Sequence, residues 1–222
     1  MIVVHHLNNS RSQRILWMLE ELGVPYEIKR YERDLATMLA PASLKAVHPL
    51  GKSPVITDGD KVLAESGAIL EYLVDTYGNG RFRPAPGTED RIRYNYFMHF
   101  AEGSMMPPLL MKLVFARIPA RVPFFMKPVA RLIATGGDKQ MVMPNLTAQL
   151  AFLERELSTR PWFAGREFSA ADVQMSFPLE AATERAGLGG GQPKLMDFLK
   201  RIHDRPAYGR ALDKGGPYAL MK

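Results

Sequence analysis

The spacing of apolar residues along this 222-residue chain divides it into two parts. Residues 2–4 form a short β-branched run. From Ser12 onward, Ile15, Leu19 and Leu22 recur at i, i+4 and i+7, so a strand is followed by a helix. Gly23-Val24-Pro25 stops that helix, residues 26–29 read as a second strand, and residues 36–46 as a weaker second helix. Two further strands, 54–57 and 61–64, flank the turn signal Asp58-Gly59-Asp60. A third helix begins near Ser66 and carries Ile69, Leu70, Leu73 and Tyr77.

The order β-α-β-α-β-β-α therefore occupies about the first 78 residues. Residues 79–87, NGRFRPAPG, have no apolar period and read as a linker. Beyond them every pattern is helical. Leu146, Leu150, Leu153 and Leu157 share one face, and Pro161 closes their helix. Ser169 and Asp172 have the spacing of a capping box, with Phe168 and Val173 placed as a hydrophobic staple, so another helix starts there. Asp172 is accordingly assigned to structure.

Composition adds exclusions. A hydrophobic share of 46% with 23% charged residues suits a globular core. Cysteine is absent, which removes disulfides, thiolate metal sites and any nucleophilic cysteine of the chain itself. The compartment stays open on this ground, with the reducing cytoplasm as the expectation. No export signal and no membrane-spanning run is legible. The net charge of +6 is concentrated: residues 103–137 contain no acid, yet carry Lys112, Arg117, Arg121, Lys127 and Arg131. Pro119, Pro123 and Pro128 interrupt this segment, which argues against one long helix reading nucleic acid. A solvated basic face is the plain reading; an anionic substrate or a membrane surface are the alternatives.

One local feature stands out. In Gly51-Lys-Ser-Pro-Val-Ile-Thr57 a proline sits at the mouth of a strand, where its missing N–H is tolerated and where a cis X-Pro bond is accessible. This stretch belongs to HPLGKSPVITD (48–58). With Glu65-Ser66 at a helix start, SRSQR (10–14) leading the first helix, and WFAGREFSAAD (162–172), the chain resembles the glutathione S-transferase family across nearly its whole length. The resemblance implies a thioredoxin-like α/β domain over 1–78 that binds glutathione as co-substrate. After the 79–87 linker it implies an all-α domain over 88–222 that forms the second-substrate pocket. It implies a homodimer and no metal.

Glutathione is an extended peptide with two charged ends and a central thiol. The expected site has Ser53 and Pro54 at a cis bond, with the Val55 backbone pairing the cysteinyl unit as an added strand would. Ser66 and the free N–H groups of its helix suit the γ-glutamyl carboxylate, Glu65 the ammonium, and Lys52 the glycine carboxylate.

Catalysis requires the thiolate. A thiol of pKa about 8.5 lowered by about two units needs roughly 2.7 kcal/mol of preferential stabilisation. The donor in this family lies between the first strand and the first helix, where no tyrosine occurs before Tyr26. Ser10 stands four residues before Arg14, the spacing of serine-type members resembling theta enzymes. Ser12 is the alternative, and the comparison with phi-type members places Asn9 there instead; amide donors at Asn8 and Asn9 also remain open. For the second substrate, Phe97, Met98, Met105 and Met106 are candidates for an adaptable apolar pocket, with core or dimer contact as the alternative. His99 reads as a packed or hydrogen-bonded helix residue rather than a base, and Glu102 as an acid placed to reach a partner subunit's glutathione. The expected activity is conjugation of glutathione to hydrophobic electrophiles. Glutathione-dependent peroxidase activity and a non-catalytic binding module are the alternatives.

Overall fold

The computed structural model describes residues 1–34, 37, 39–216 and 218. Its first part is a four-stranded mixed sheet in the order β2-β1-β3-β4: β1 (Ile2–Leu7), β2 (Tyr26–Tyr31), β3 (Val55–Asp58) and β4 (Lys61–Ala64). β1 pairs parallel with β2, Ile2 opposite Tyr26, and antiparallel with β3, His5 opposite Val55. The first strand runs three residues past the β-branched run. His5 and His6 extend it because each ring is paired inside the fold, His5 Nδ1 with the Tyr31 hydroxyl at 2.9 Å and His6 Nδ1 with Ser12 Oγ at 2.8 Å.

α1 (Ser12–Leu22) packs against β1 and beside α3 (Ser66–Tyr77), which itself packs on β3 and β4, and its first two turns are buried, including Gln13 and Arg14. α2 is shorter than the apolar pattern suggested. It spans Ala42–Lys45, after Pro41, whose ring disfavours helical backbone at the residue before it. Residues 36 and 38 of the expected 36–46 helix lie outside the described residues.

The second part is helical: α4 (Glu89–Phe100), α5 (Met106–Arg117), α6 (Lys127–Gly137), α7 (Met143–Thr159), α8 (Ala170–Ala186), α9 (Pro193–His203) and α10 (Pro206–Gly215). α4 continues into α5 through one π-helical turn, Ala101–Met105. Proline chemistry accounts for it. Pro107 and Pro108 donate no N–H to the preceding turn, so the ladder widens just ahead of them. The Ser104 carbonyl, which residue 108 would otherwise satisfy, accepts from Gln149 Nε2 at 3.0 Å instead. Glu102 sits in this widened turn.

The core is continuous between the two parts. Trp17, Phe163 and Phe198 join it from α1, the turn before α8, and α9. Asp172, fully buried, bonds as the capping box predicted. Oδ2 accepts the Ser169 N–H at 2.8 Å and its hydroxyl at 3.1 Å, and Oδ1 accepts the Phe163 N–H at 2.9 Å. Phe168 stacks among Trp17, Phe82 and Trp162. Removing Asp172 orphans these donors at once, so Asp172→Ala is expected to cost about 2–4 kcal/mol. Urea unfolding checks it: the midpoint drops markedly if the cap holds α8, and stays put if it does not.

Candidate active site

A cleft of about 190 Å³ opens where the 48–54 loop, the start of α3 and the π turn meet. Lys52, Ser53, Pro54, Glu65 and Ser66 line it, and the Ser53–Pro54 bond is cis. Five of the residues expected from the sequence are thus brought together. Lys52 and Glu65 are exposed at the rim, whereas Ser66 is buried. Ser66 opens α3, so the unspent N–H groups of the first turn face the same point as its hydroxyl. Glu65 has φ of 70°, a conformation that costs a non-glycine residue about 1–3 kcal/mol and is characteristic of functional sites.

Val55 departs from expectation. It is fully buried and lies inside the sheet, with His5 on one side and Ala64 on the other. It therefore presents no bare edge to a peptide. The cleft wall is Ser53 and Pro54, one step earlier in the chain.

Beneath the cleft, the loop between β1 and α1 forms a chain of hydroxyls. Ser10 Oγ lies 2.7 Å from Ser12 Oγ and donates towards Ser53 Oγ at 3.3 Å. Ser53 in turn donates to the His5 carbonyl at 3.2 Å. Ser12 Oγ lies 2.8 Å from His6 Nδ1. Burial, aided by the Arg30 charge, pushes the His6 pKa down to about 4, although a bond to the Gly215 backbone opposes the shift. His6 is therefore neutral at pH 7. One proton lies between Ser12 Oγ and His6 Nδ1, and Ser12 Oγ also lies 3.4 Å from the Leu7 carbonyl. Asn8 and Asn9 face elsewhere. They line a separate recess with His6, Arg30 and Tyr31, where Asn8 Oδ1 accepts the Arg33 N–H at 3.2 Å.

Arg14 ties the cleft together. Its side chain is 1% exposed and donates from Nη2 to Ser66 Oγ at 2.9 Å and to Glu102 Oε1 at 2.5 Å, and from Nη1 to the Gln174 carbonyl at 2.5 Å. Arg11 Nε reaches the same Glu102 oxygen at 2.9 Å. Burial would raise the Glu102 pKa, but the Arg14 and Arg11 charges prevail and hold it below the ordinary carboxylate range. Glu102 thus lines the cleft with its carboxylate engaged inside its own chain.

Met98, Met105 and Met106 are no more than 5% exposed and belong to the core between the two parts, not to the cleft. Phe97 packs on Phe163 with centroids 4.8 Å apart and borders a surface recess with Ile92, Tyr96 and Phe152. Phe97 and Met98 lie on α4, Met105 ends the π turn and Met106 opens α5, and the packing of α4 and α5 against α8 turns these side chains inward. His99 is exposed, with Nδ1 bonded to the Asn95 carbonyl at 2.8 Å. Four cleft residues were not among the expected site residues: Arg11, His48, Leu50 and Ala64. His48 opens the HPLGKSP motif, and its buried Nδ1 has no partner among the described residues.

Comparison with known proteins agrees with this geometry. Residues 1–75 match the family model "Glutathione S-transferase, N-terminal domain" and residues 109–206 match "Glutathione S-transferase, C-terminal domain". Glutathione S-transferase 3 of Schizosaccharomyces pombe is 38% identical over 215 residues, covering 96% of this chain and 88% of that protein. A crystal structure of a glutathione S-transferase from Actinobacillus pleuropneumoniae superposes with a TM-score of 0.81 at 32% identity, over 100% of this chain and 96% of that one. A sphingomonad glutathione S-transferase complexed with glutathione superposes at 0.71 with 26% identity, over 96% and 98%. With both halves matched in order and the thioredoxin-like sheet followed by the helical domain, the chain belongs to the glutathione S-transferase family and is a glutathione transferase.

Proposed function

We propose that Ser10 is the residue that holds glutathione as its thiolate, for attack on a hydrophobic electrophile. One observation carries the assignment: the hydroxyls of its neighbours are engaged with groups inside the fold, Ser12 with His6 Nδ1 and the Leu7 carbonyl, and Ser53 with the His5 carbonyl. The Ser10 proton is shared only between serine oxygens and is free to turn towards a sulfur above it. Ser10 Oγ also accepts the Ser12 N–H at 3.2 Å, which fixes the oxygen at the start of α1, where the helix field favours negative charge.

The rest of the cleft matches glutathione end to end. Ser66 and the α3 N-terminus suit the γ-glutamyl carboxylate, Glu65 the ammonium, Ser53 and Pro54 the cysteinyl unit, and Lys52 with His48 the glycine carboxylate. Arg11, at the same cleft, adds positive potential that lowers a thiol pKa further. A homodimer is part of the reading. Ile92 and Tyr96 are exposed beside Phe152, an apolar face suited to a second copy.

Ser10→Ala is expected to slow conjugation of a chloronitroaromatic on the order of a hundredfold and to raise the bound thiol's pKa by about two units, with glutathione affinity changed only a few-fold. Steady-state kinetics and ultraviolet titration of the bound thiolate check both; full activity in Ser10→Ala would move the role to another residue. Glu65→Gln with Ser66→Ala should weaken glutathione binding at least tenfold by calorimetry. Unchanged affinity would contradict the placement of its γ-glutamyl end.

The His6 shift makes a statement about pH. Its pKa is about 4 in the fold against 6.5 when unperturbed, so the stability it contributes is complete above pH 6.5 and is lost as pH falls towards 4. Unfolding free energies compared at pH 7 and about pH 4.5 should show a decline that is smaller in His6→Gln by on the order of 2 kcal/mol. Equal declines in the two proteins would contradict it.

A further inference from the structure

The α5–α6 arm carries an apolar face that none of the described residues covers. Phe124 and Phe125, in the connection between the two helices, are 81% and 68% exposed, and Leu132 and Ile133 on α6 are 76% and 63% exposed. Along α6, exposed Val129, Leu132 and Ile133 follow the i, i+3, i+4 spacing of one helix face, while the buried positions are the small Ala130 and Ala134. A helix on the surface of a globular protein does the reverse, turning its larger apolar residues inward. Single exposed apolar residues mean little, but a contiguous set of them marks an interaction surface.

Charge identifies the partner. Arg117, Arg121 and Lys127 lie in the same segment, and residues 103–137 contain no acid. Lys112 is neutralised by Asp138 at 2.7 Å, and Arg131, on the other side of α6 from the stripe, lines a recess with Asp138 and Glu184; no ion pair of Arg117, Arg121 or Lys127 occurs among the described residues. A two-fold contact with a second copy would bring like-charged segments together, with no carboxylate of the segment to answer them. An anionic surface answers these three cations.

We propose that the α5–α6 arm docks the protein peripherally on an anionic lipid bilayer. Phe124, Phe125 and the Val129–Leu132–Ile133 stripe enter the boundary between headgroups and acyl chains, and Arg117, Arg121 and Lys127 extend to the lipid phosphates. No helix among the described residues is long and apolar enough to cross a membrane. The docking adds to the transferase reading without depending on the assignment of Ser10.

Co-sedimentation with phosphatidylcholine vesicles, with and without phosphatidylserine, tests it. Binding is expected only with phosphatidylserine and at low salt. It should fall at least tenfold in a variant with Arg117, Arg121 and Lys127 each changed to Gln, and likewise in Phe124→Ser with Phe125→Ser. Both variants should keep the conjugation rate on a water-soluble substrate, which shows that they are folded. Failure of the native protein to bind anionic vesicles would overturn the proposal. So would loss of the oligomeric state in Phe124→Ser with Phe125→Ser without lipid, which would give the face to a second copy. Equal binding to both kinds of vesicle would also overturn it, since charge would not be selecting the surface.

Discussion

Arg14 is a permanent positive charge sealed in the seam between the two halves of the protein, and the active site is arranged around its needs. A buried guanidinium is tolerable only when its donors are matched. Here Nη1 and Nη2 are matched from three directions, by Ser66 at the head of α3, Glu102 in the π turn and the Gln174 carbonyl on α8, while the buried Nε has no partner among the described residues. One side chain of the first domain thereby sets the helical domain's position on the sheet. It also fixes two cleft residues, Ser66 and Glu102, relative to the β1–α1 loop that holds Ser10. The prolines that follow Glu102 belong to the same arrangement, because they force the widened turn that carries its carboxylate.

Much of this was legible in the chain. The β-α-β-α-β-β-α order, the start of α3 at Ser66, and the Asp172 cap are local patterns, each decided by residues within one or two turns of each other. The misreadings have physical reasons of their own. Pro41 shortens α2 against its apolar pattern. The histidines of β1 carry no strand propensity and are buried only because Tyr31 and Ser12, distant or out of register in sequence, partner them. Val55 follows the key proline, but whether a strand residue has a free edge is decided by what pairs on each side, and β4 supplies the second partner. Met98, Met105 and Met106 show the same limit: helical spacing groups side chains without saying whether the group meets a cleft or a neighbouring helix.

Choosing among Asn9, Ser10 and Ser12 lay beyond spacing as well, since all three sit in one loop. Direction separates them. Asn9 lies in the left-handed region at φ 49° and lines a separate recess, Ser12 is bonded to His6 Nδ1 inside the fold, and Ser10 is bonded to Ser53 of the cleft wall, which is the contrast the proposed assignment of Ser10 rests on.

A crystal structure with glutathione bound tests this arrangement most directly. The sulfur is expected within hydrogen-bonding distance of Ser10 Oγ, with the γ-glutamyl carboxylate on Ser66 and the α3 N-terminus. A sulfur resting on Asn9 or Ser12, with Ser10 still bonded only to its serine neighbours, would contradict it.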